Sequence, residues 1–379
     1  MNAPITVPPV SVPLANPGAG YRAQQAEIDA AVTRALHSGW YILGAEGRAF
    51  ESEYAAWLGT TRAVGCANGT DALALALRGL GIGPGTAVAT VSHTAVATVA
   101  AVEMVGATPI LIDVDPAHHT MDPAELAAVL ANPPPGLPPI EAIIPVHLYG
   151  QAADLLAIIA AAKTYGAAVI EDCSQAHGAT LGGQKLGTFT EISTFSLYPT
   201  KNLGALGDGG VLATNDDALA TKIAALRQYG WHTHYISDEC GVNSRLDEIQ
   251  AAILRVKLTR LDANNARRQA IAAAYDAALP AGLAAPARRP GASHVFHQYV
   301  TRSPDRTAIQ AKLRAAGIAT GIHYPMPVHT QPAYKGRVAL GPAACRASEV
   351  ASAEVFSLPM FPEMTDAQVA QVCAAVAAL

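Results

Sequence analysis

Residues 192–214 read ISTFSLYPTKNLGALGDGGVLAT. Two apolar runs, ISTFSL and GGVLAT, flank a glycine-rich turn that carries a single lysine, Lys201, whose nearest acid in sequence is Asp208. Near-continuous apolar runs of this length mark strands buried on both faces, as in parallel sheets covered by helices. A lysine at the carboxyl edge of such a strand lies where open α/β sheets bind ligands. The segment between the two runs is short for a parallel crossover, which leaves an antiparallel course open for one of them.

The same rhythm extends outward. AVGC (63–66), AVATVS (87–92), PILIDV (109–114), AIIPVHL (142–148) and AAVIED (167–172) alternate with helix-like stretches such as DALALALRGL and AADLLAIIAAAKTYG. This alternation predicts a mostly parallel sheet between two helical layers. Upstream, Ile28, Val32 and Leu36 recur at helical spacing. Downstream, RLDEIQAAILRVKLTRLDANNARRQAIAAAYDAAL reads as one long helix, followed by the proline-broken PAGLAAPARRPGAS (280–293). The expected organisation is a large α/β domain over residues 1–255, including the N-terminal segment, and a smaller α+β domain over 256–379. The smaller domain should contain a strand at HVFHQYVT, a helix at PDRTAIQAKLRAAG and a last helix opened by the T-x-x-Q pair Thr365 and Gln368. ANPPPGLPPIEA (131–142) reads as a surface loop, because the β/α rhythm resumes directly after it.

Composition narrows the function. Of 379 residues, 51% are hydrophobic and 15% charged, enough to bury a sizeable core. The net charge of −5 and the lack of a basic run argue against nucleic acid as a partner. Five scattered cysteines without a CxxC pair argue against a disulfide framework or a zinc ribbon. His232, His234 and Cys240 have no partners to complete a tetrahedral metal set. MNAPITVPPVSVPLANPG lacks the basic start of a signal peptide, and Ala95–Val105, broken by Glu103, is too short to cross a bilayer. A soluble cytoplasmic protein without membrane contact is expected. GLGIGPG (79–85) follows a helix instead of a strand, so a nicotinamide dinucleotide fingerprint is absent.

Three segments carry chemistry. In AVGCANGTDALALAL (63–77) a strand ends, Gly69 and Thr70 turn the chain, and a helix begins. That helix start is either a phosphate seat or a plain N-cap by Thr70. In VIEDCSQAHGA (169–179) Glu171 and Asp172 end a strand, either as ligand groups or as a helix cap; a carboxylate there needs a cationic partner. In the opening stretch Ser196 and Lys201 end the next strand. A buried lysine has a lowered pKa and becomes a nucleophilic amine. An acid, a lysine, a hydroxyl and a helix start on one sheet edge match the needs of pyridoxal 5'-phosphate (PLP): a Schiff-base amine, a carboxylate at the ring nitrogen and donors for the phosphate.

On GTDAL, EDCSQAHGA, FSLYPTKNLGALGDGG and NSRLDEIQAA, supported by GWYILG and GIHYPMPVH, the chain resembles the DegT/DnrJ/EryC1 family of sugar aminotransferases over nearly its whole length. The resemblance implies the fold type I, aspartate aminotransferase-like architecture of PLP enzymes. It implies Lys201 as the Schiff-base lysine, Asp172 as the partner of the ring nitrogen and Gln175 as the contact to the phenolic oxygen. Ser196 and the Gly69–Thr70 turn resemble the phosphate site. Asn243 matches an asparagine that reaches the phosphate of a neighbouring subunit, which implies a homodimer with shared active sites. Where the family often has a ring that stacks on the cofactor, this chain has Ala95, and His93 is the substitute considered. Tyr198, His323, Tyr324, Trp40 and Tyr41 match segments bordering the sugar site in relatives, or else are packed side chains. Arg245 faces either a substrate phosphate or a structural acid. The implied reaction is ping-pong transfer of an amino group, with glutamate as donor, to a nucleotide-linked keto-sugar. KNLGALGDGG and NSRLDEIQAAILRVKL resemble relatives acting at C3 of dTDP-linked 3-keto-6-deoxy sugars. C4 amination, or a non-catalytic sugar-nucleotide-binding regulator, are the alternatives. Lys201 argues against the sugar dehydratases of the same family, which lack that lysine.

Overall fold

The computed structural model describes residues 10–379, so the signal-peptide reading falls partly on residues outside that range. Each apolar run becomes a strand of one sheet: β1 (Arg62–Cys66), β2 (Ala87–Val91), β3 (Thr108–Ile112), β4 (Ile140–Ile143), β5 (Ala168–Asp172), β6 (Ile192–Ser196) and β7 (Gly210–Thr214), joined at the edge by β8 (Ala339–Leu340). The spatial order is β1-β7-β6-β5-β4-β2-β3-β8. β7 runs antiparallel to both of its neighbours, and every other pairing is parallel. The Lys201 turn explains the reversal. It holds no helix to cross back over the sheet, so the chain returns alongside β6, with Ser196 opposite Gly210.

Alternate strand residues feed opposite helical layers. Val64, Cys66, Val88, Ile170, Ile192 and Leu212 enter the layer of the Gly69–Gly79, Val96–Met104 and Asp217–Leu226 helices. Phe195, Val211 and Ala213 face the Ala45–Leu58 and Glu248–Leu258 helices, while Val169 and Ile110 face the Leu155–Tyr165 helix. All five residues of β2 and of β7 are buried, which is why these runs show no polar alternation. The carboxyl ends of β1, β5 and β6 therefore open together at one edge.

The predicted long helix is two helices, Glu248–Leu258 and Leu261–Ala278, separated at Thr259 and Arg260. The break lets both Leu258 and Leu261 enter the same core. The strand expected at HVFHQYVT shortens to Tyr299–Arg302, paired antiparallel with Val355–Leu358. Phe296, at φ 44°, interrupts extended backbone before it. A separate core gathers Ile271, Tyr275, Tyr299, Leu313, Phe356 and Val372, together with Val12, which bridges Ile318. The last helix, Asp366–Ala377, carries the reciprocal Thr365–Gln368 box. The prolines of 131–142 lie in a surface loop. Among the described residues no helix is long and apolar enough to cross a membrane.

Candidate active site

At the edge where β1, β5 and β6 end, a cavity of ≈ 530 Å³ is lined by Gly69, Thr70, Asp172, Gln175, Ser196, Tyr198 and Lys201. Residues taken from three separate stretches of sequence thus share one cavity. Asp172, 4% exposed, closes β5. Thr98 Oγ1 donates to its Oδ2 at 3.1 Å, and the Ser174 amide donates to its Oδ1 at 3.1 Å. These two donors are neutral, so the carboxylate's charge remains to be met by a cation. Lys201 is half-buried in the turn after β6, its amide bonded to the Tyr198 carbonyl at 2.8 Å. Burial pulls its amine down to about 8, against the opposing pull of Asp172. Near neutral pH a useful fraction is the free amine.

The phosphate seat is a helix start, with one correction. Asn68, not Thr70, caps the Gly69–Gly79 helix, its Oδ1 accepting from the Asp71 amide at 2.8 Å. Asn68 sits two residues closer to β1, where extended backbone (ψ 173°) aims its carbonyl arm at the first turn. Gly69 and Thr70 are thereby left at the cavity with the unpaired amides of a helix start. Gly69 is required by close approach: a Cβ there would lie 2.6 Å from Ser196 Cβ. Ser196 is braced by Ser174, whose hydroxyl accepts from its amide at 3.1 Å. A helix start against a serine, a buried carboxylate and an amine of lowered pKa form the donor set that PLP requires, so the residues present fit that cofactor.

Gln175 is 3% exposed, its Oε1 accepting from the Tyr149 amide at 2.8 Å and its Nε2 donating to the Tyr324 hydroxyl at 3.2 Å. Tyr324 and half-buried His323 thus stand beside the cavity from the C-terminal half of the chain. Burial raises the Tyr324 phenol to about 12, and lowers the His323 ring to about 4 with Lys201 adding to the effect. His323 Nδ1 pairs with Ser357 Oγ at 2.9 Å.

His93 does not reach the cavity. Its ring is fully buried, paired with Tyr149 Oη at 2.7 Å and Ser352 Oγ at 3.2 Å. Because Tyr149 Oη donates to the His323 carbonyl, His93 Nε2 carries the proton. Thr94, Ala95, Ala97 and Thr98 form the wall instead. Trp40 and Tyr41 are exposed and absent from the cavity lining; Trp40 borders a different hollow with Glu248. Asn243 lines another, with Asp71 and Arg78, and Arg245 is half-buried outside the Lys201 cavity. Thr98, Ser174, Asn68 and Tyr149 escaped the sequence reading. For Thr98 a signal existed: it follows Thr94 by one helical turn, toward the same edge.

Glu171 serves the fold. Its carboxylate accepts from the Gly187 and Phe189 amides and from Thr190 Oγ1. His147 and Cys173 lie beside it in a metal-like cluster. However, His147 Nδ1 accepts from the Ala153 amide, so its Nε2 donates to Glu171 and offers no lone pair. His232, His234 and Cys240 are all exposed, dispersed over the 231–237 hairpin and the loop after it.

Comparison with known proteins places this geometry in context. Residues 22–377 match the model of the DegT/DnrJ/EryC1/StrS aminotransferase family. The chain is 42% identical to a dTDP-3-amino-3,4,6-trideoxy-alpha-D-glucose transaminase of Streptomyces venezuelae, over 96% of this chain and 95% of the relative. It is also 42% identical to a UDP-N-acetyl-3-dehydro-alpha-D-glucosamine 3-aminotransferase of Acidithiobacillus ferrooxidans, over 97% of each. The crystal structure of S. venezuelae DesV in complex with a ketimine intermediate superposes with a TM-score of 0.93 at 42% identity, covering 98% of both chains.

Proposed function

Because the chain belongs to the DegT/DnrJ/EryC1/StrS aminotransferase family, we propose that it transfers the amino group of L-glutamate to C3 of a dTDP-linked 3-keto-6-deoxy sugar, as a cytoplasmic homodimer with shared active sites. It is a PLP-dependent nucleotide-sugar aminotransferase. The observation that carries the reading is a lysine with its amine lowered to about 8, sharing one cavity with a buried, neutrally braced carboxylate.

When bound, PLP supplies an electron sink for the carbanion formed on amino-group transfer. Lys201 Nζ would hold it covalently, Asp172 would face its ring nitrogen, Gln175 its phenolic oxygen, and Gly69, Thr70 and Ser196 its phosphate. The bonds from Thr98 and Ser174 orient the Asp172 carboxylate without neutralising it. With the cofactor in place, Lys201 Nζ would carry the proton taken from the donor's α-carbon, general acid–base work suited to an amine titrating near working pH. Tyr198 at the cavity, with Tyr324 and His323 beside it behind Gln175, are the side chains available to the sugar.

C3 is supported by the names of both relatives, each a 3-amino or 3-keto sugar enzyme. A UDP-linked sugar is the second reading, since the Acidithiobacillus relative is named for one at the same identity. Exposed Tyr235 and Ile236, adjacent on the 231–237 hairpin, support the homodimer. The test is the visible spectrum of the purified protein. A band near about 410–430 nm, expected of lysine-bound PLP, should vanish with L-glutamate and be missing from Lys201→Ala. A protein colourless after added PLP would overturn the reading. NMR of the products from dTDP- and UDP-linked 3-keto and 4-keto sugars decides carbon and nucleotide, and amination solely at C4 would refute the C3 assignment.

A further inference from the structure

The geometry points to Asn202 as the positioning residue of Lys201, tying the lysine turn to Asn265 on one side and, through an ordered water shared with Arg268 and Gln24, to a polar chamber on the other. The inference rests on the reading of Lys201 as the cofactor lysine. Asn202 Nδ2 donates to Asn265 Oδ1 at 2.8 Å and to the Val295 carbonyl at 3.0 Å. Asn265 Nδ2 in turn donates to the His177 carbonyl at 2.8 Å, which fixes Asn265 Oδ1 as the acceptor. Both partners of Asn202 Nδ2 are oxygens, so its amide cannot be flipped.

Asn202 Oδ1 is therefore turned the other way, buried and without a protein partner. Gln24 Oε1 and Arg268 Nε are in the same condition, on side chains 3% and 4% exposed. All three residues line one chamber of ≈ 50 Å³ behind the turn, which Lys201 also lines. Two carbonyl oxygens and one N–H without protein partners thus belong to side chains that line it. A water molecule donates twice and accepts once, and the chamber has room for one or two. Lys201, Lys257 and Glu363 line the same chamber, and a neutral molecule that both donates and accepts suits the two orphaned carbonyl oxygens and the orphaned N–H. Arg268 is held in place by the Phe296 and Met360 carbonyls, so it cannot swing away.

The backbone of the turn is pinned by the Lys201 amide on the Tyr198 carbonyl, the Ala205 amide on the Leu197 carbonyl and the Leu206 amide on Gln250 Oε1, with Leu203 and Ala205 in the core. Gly204 packs so tightly that a Cβ would lie 2.5 Å from the Pro199 carbonyl oxygen, and Lys257 Nζ donates to the Gly204 carbonyl. Asn202 is the side chain next to Lys201 and the one that joins it to the Leu261–Ala278 helix. It sets where the amine rests relative to Asp172 and leaves the acid itself untouched.

The test uses the PLP-loaded protein and needs no amino donor. Spectrophotometric pH titration of the visible band should show the midpoint of Asn202→Ala and of Asn265→Ala displaced by at least about half a pH unit. The double variant should move no further than the larger single, because both act through one bond. A crystal structure of the holoenzyme should show one water within about 2.7–3.2 Å of Asn202 Oδ1, Gln24 Oε1 and Arg268 Nε, and Gln24→Leu should lose it. A wild-type midpoint in folded, coloured Asn202→Ala overturns the positioning role. Direct bonding of Arg268 Nε to Gln24, with the chamber closed, overturns the water. If Asn202→Ala fails to fold, Asn265→Ala and Gln24→Leu decide. Wild-type protein that stays colourless overturns the Lys201 reading, and this inference with it.

Discussion

Lys201→Met in the cofactor-free protein should make the fold more stable at neutral pH, although it removes the residue on which the reaction depends. The wild-type amine is lowered from 10.5 to about 8, mainly by burial. Below pH 8 the lysine is protonated in both folded and unfolded chains, and the folded chain bears the cost of desolvating that charge. The drop corresponds to about 3 kcal/mol, and partial hydration of a half-buried side chain brings this to about 2–3 kcal/mol. Between pH 8 and 10.5 the unfolded chain binds the extra proton, so wild-type stability rises with pH and the advantage of methionine shrinks. Above 10.5 the charge term is gone. Urea unfolding of both cofactor-free proteins at pH 7 and near pH 10 measures this directly. A methionine variant less stable than wild type at pH 7, or a difference that does not change with pH, would refute the claim that the lysine is held at electrostatic cost. Strain of this kind at a reactive site is the usual exchange of stability for function.

Thr98→Val removes one of the two bonds to Asp172 at nearly constant volume, a bond to a charged group worth about 1.5–3 kcal/mol; kcat/KM for amino transfer should fall about tenfold to a hundredfold while the lysine-bound band persists. Gly69→Ala forces a methyl to 2.6 Å from Ser196 Cβ, so fluorescence titration should show PLP binding weakened by about tenfold or more, as expected from about 1.4 kcal/mol or more of disturbance; unchanged binding would place the phosphate elsewhere. Thr365→Ala breaks the capping box far from the cavity and should cost about 1 kcal/mol in urea unfolding with turnover unchanged.

Much of the fold follows from periodicity. Buried runs such as AVATV and GVLAT lack polar alternation because both faces are covered, and the Gly69–Gly79 helix is amphipathic. What periodicity could not settle was direction. The antiparallel course of Gly210–Thr214 depends on the Lys201 turn having no crossover helix, which the short segment suggested and left open. The split at Thr259–Arg260 was invisible because both sides have helical character, and the break is imposed by where Leu258 and Leu261 must go.

The site divides in the same way. Lys201, Asp172, Ser196 and the Gly69–Thr70 turn were legible because each lies at a strand end, and the β/α alternation alone brings strand ends to one edge of a sheet. That much the sequence determined by itself, since short-range hydrophobic pattern dictates which elements form and in what order they alternate. Only the tertiary structure decided which side chains turn inward. It buried His93 against Tyr149 and Ser352, set Thr98 on Asp172, and aimed Asn202 at Asn265. Those choices depend on partners dozens to hundreds of residues away, and packing across that distance leaves no periodic trace in the chain.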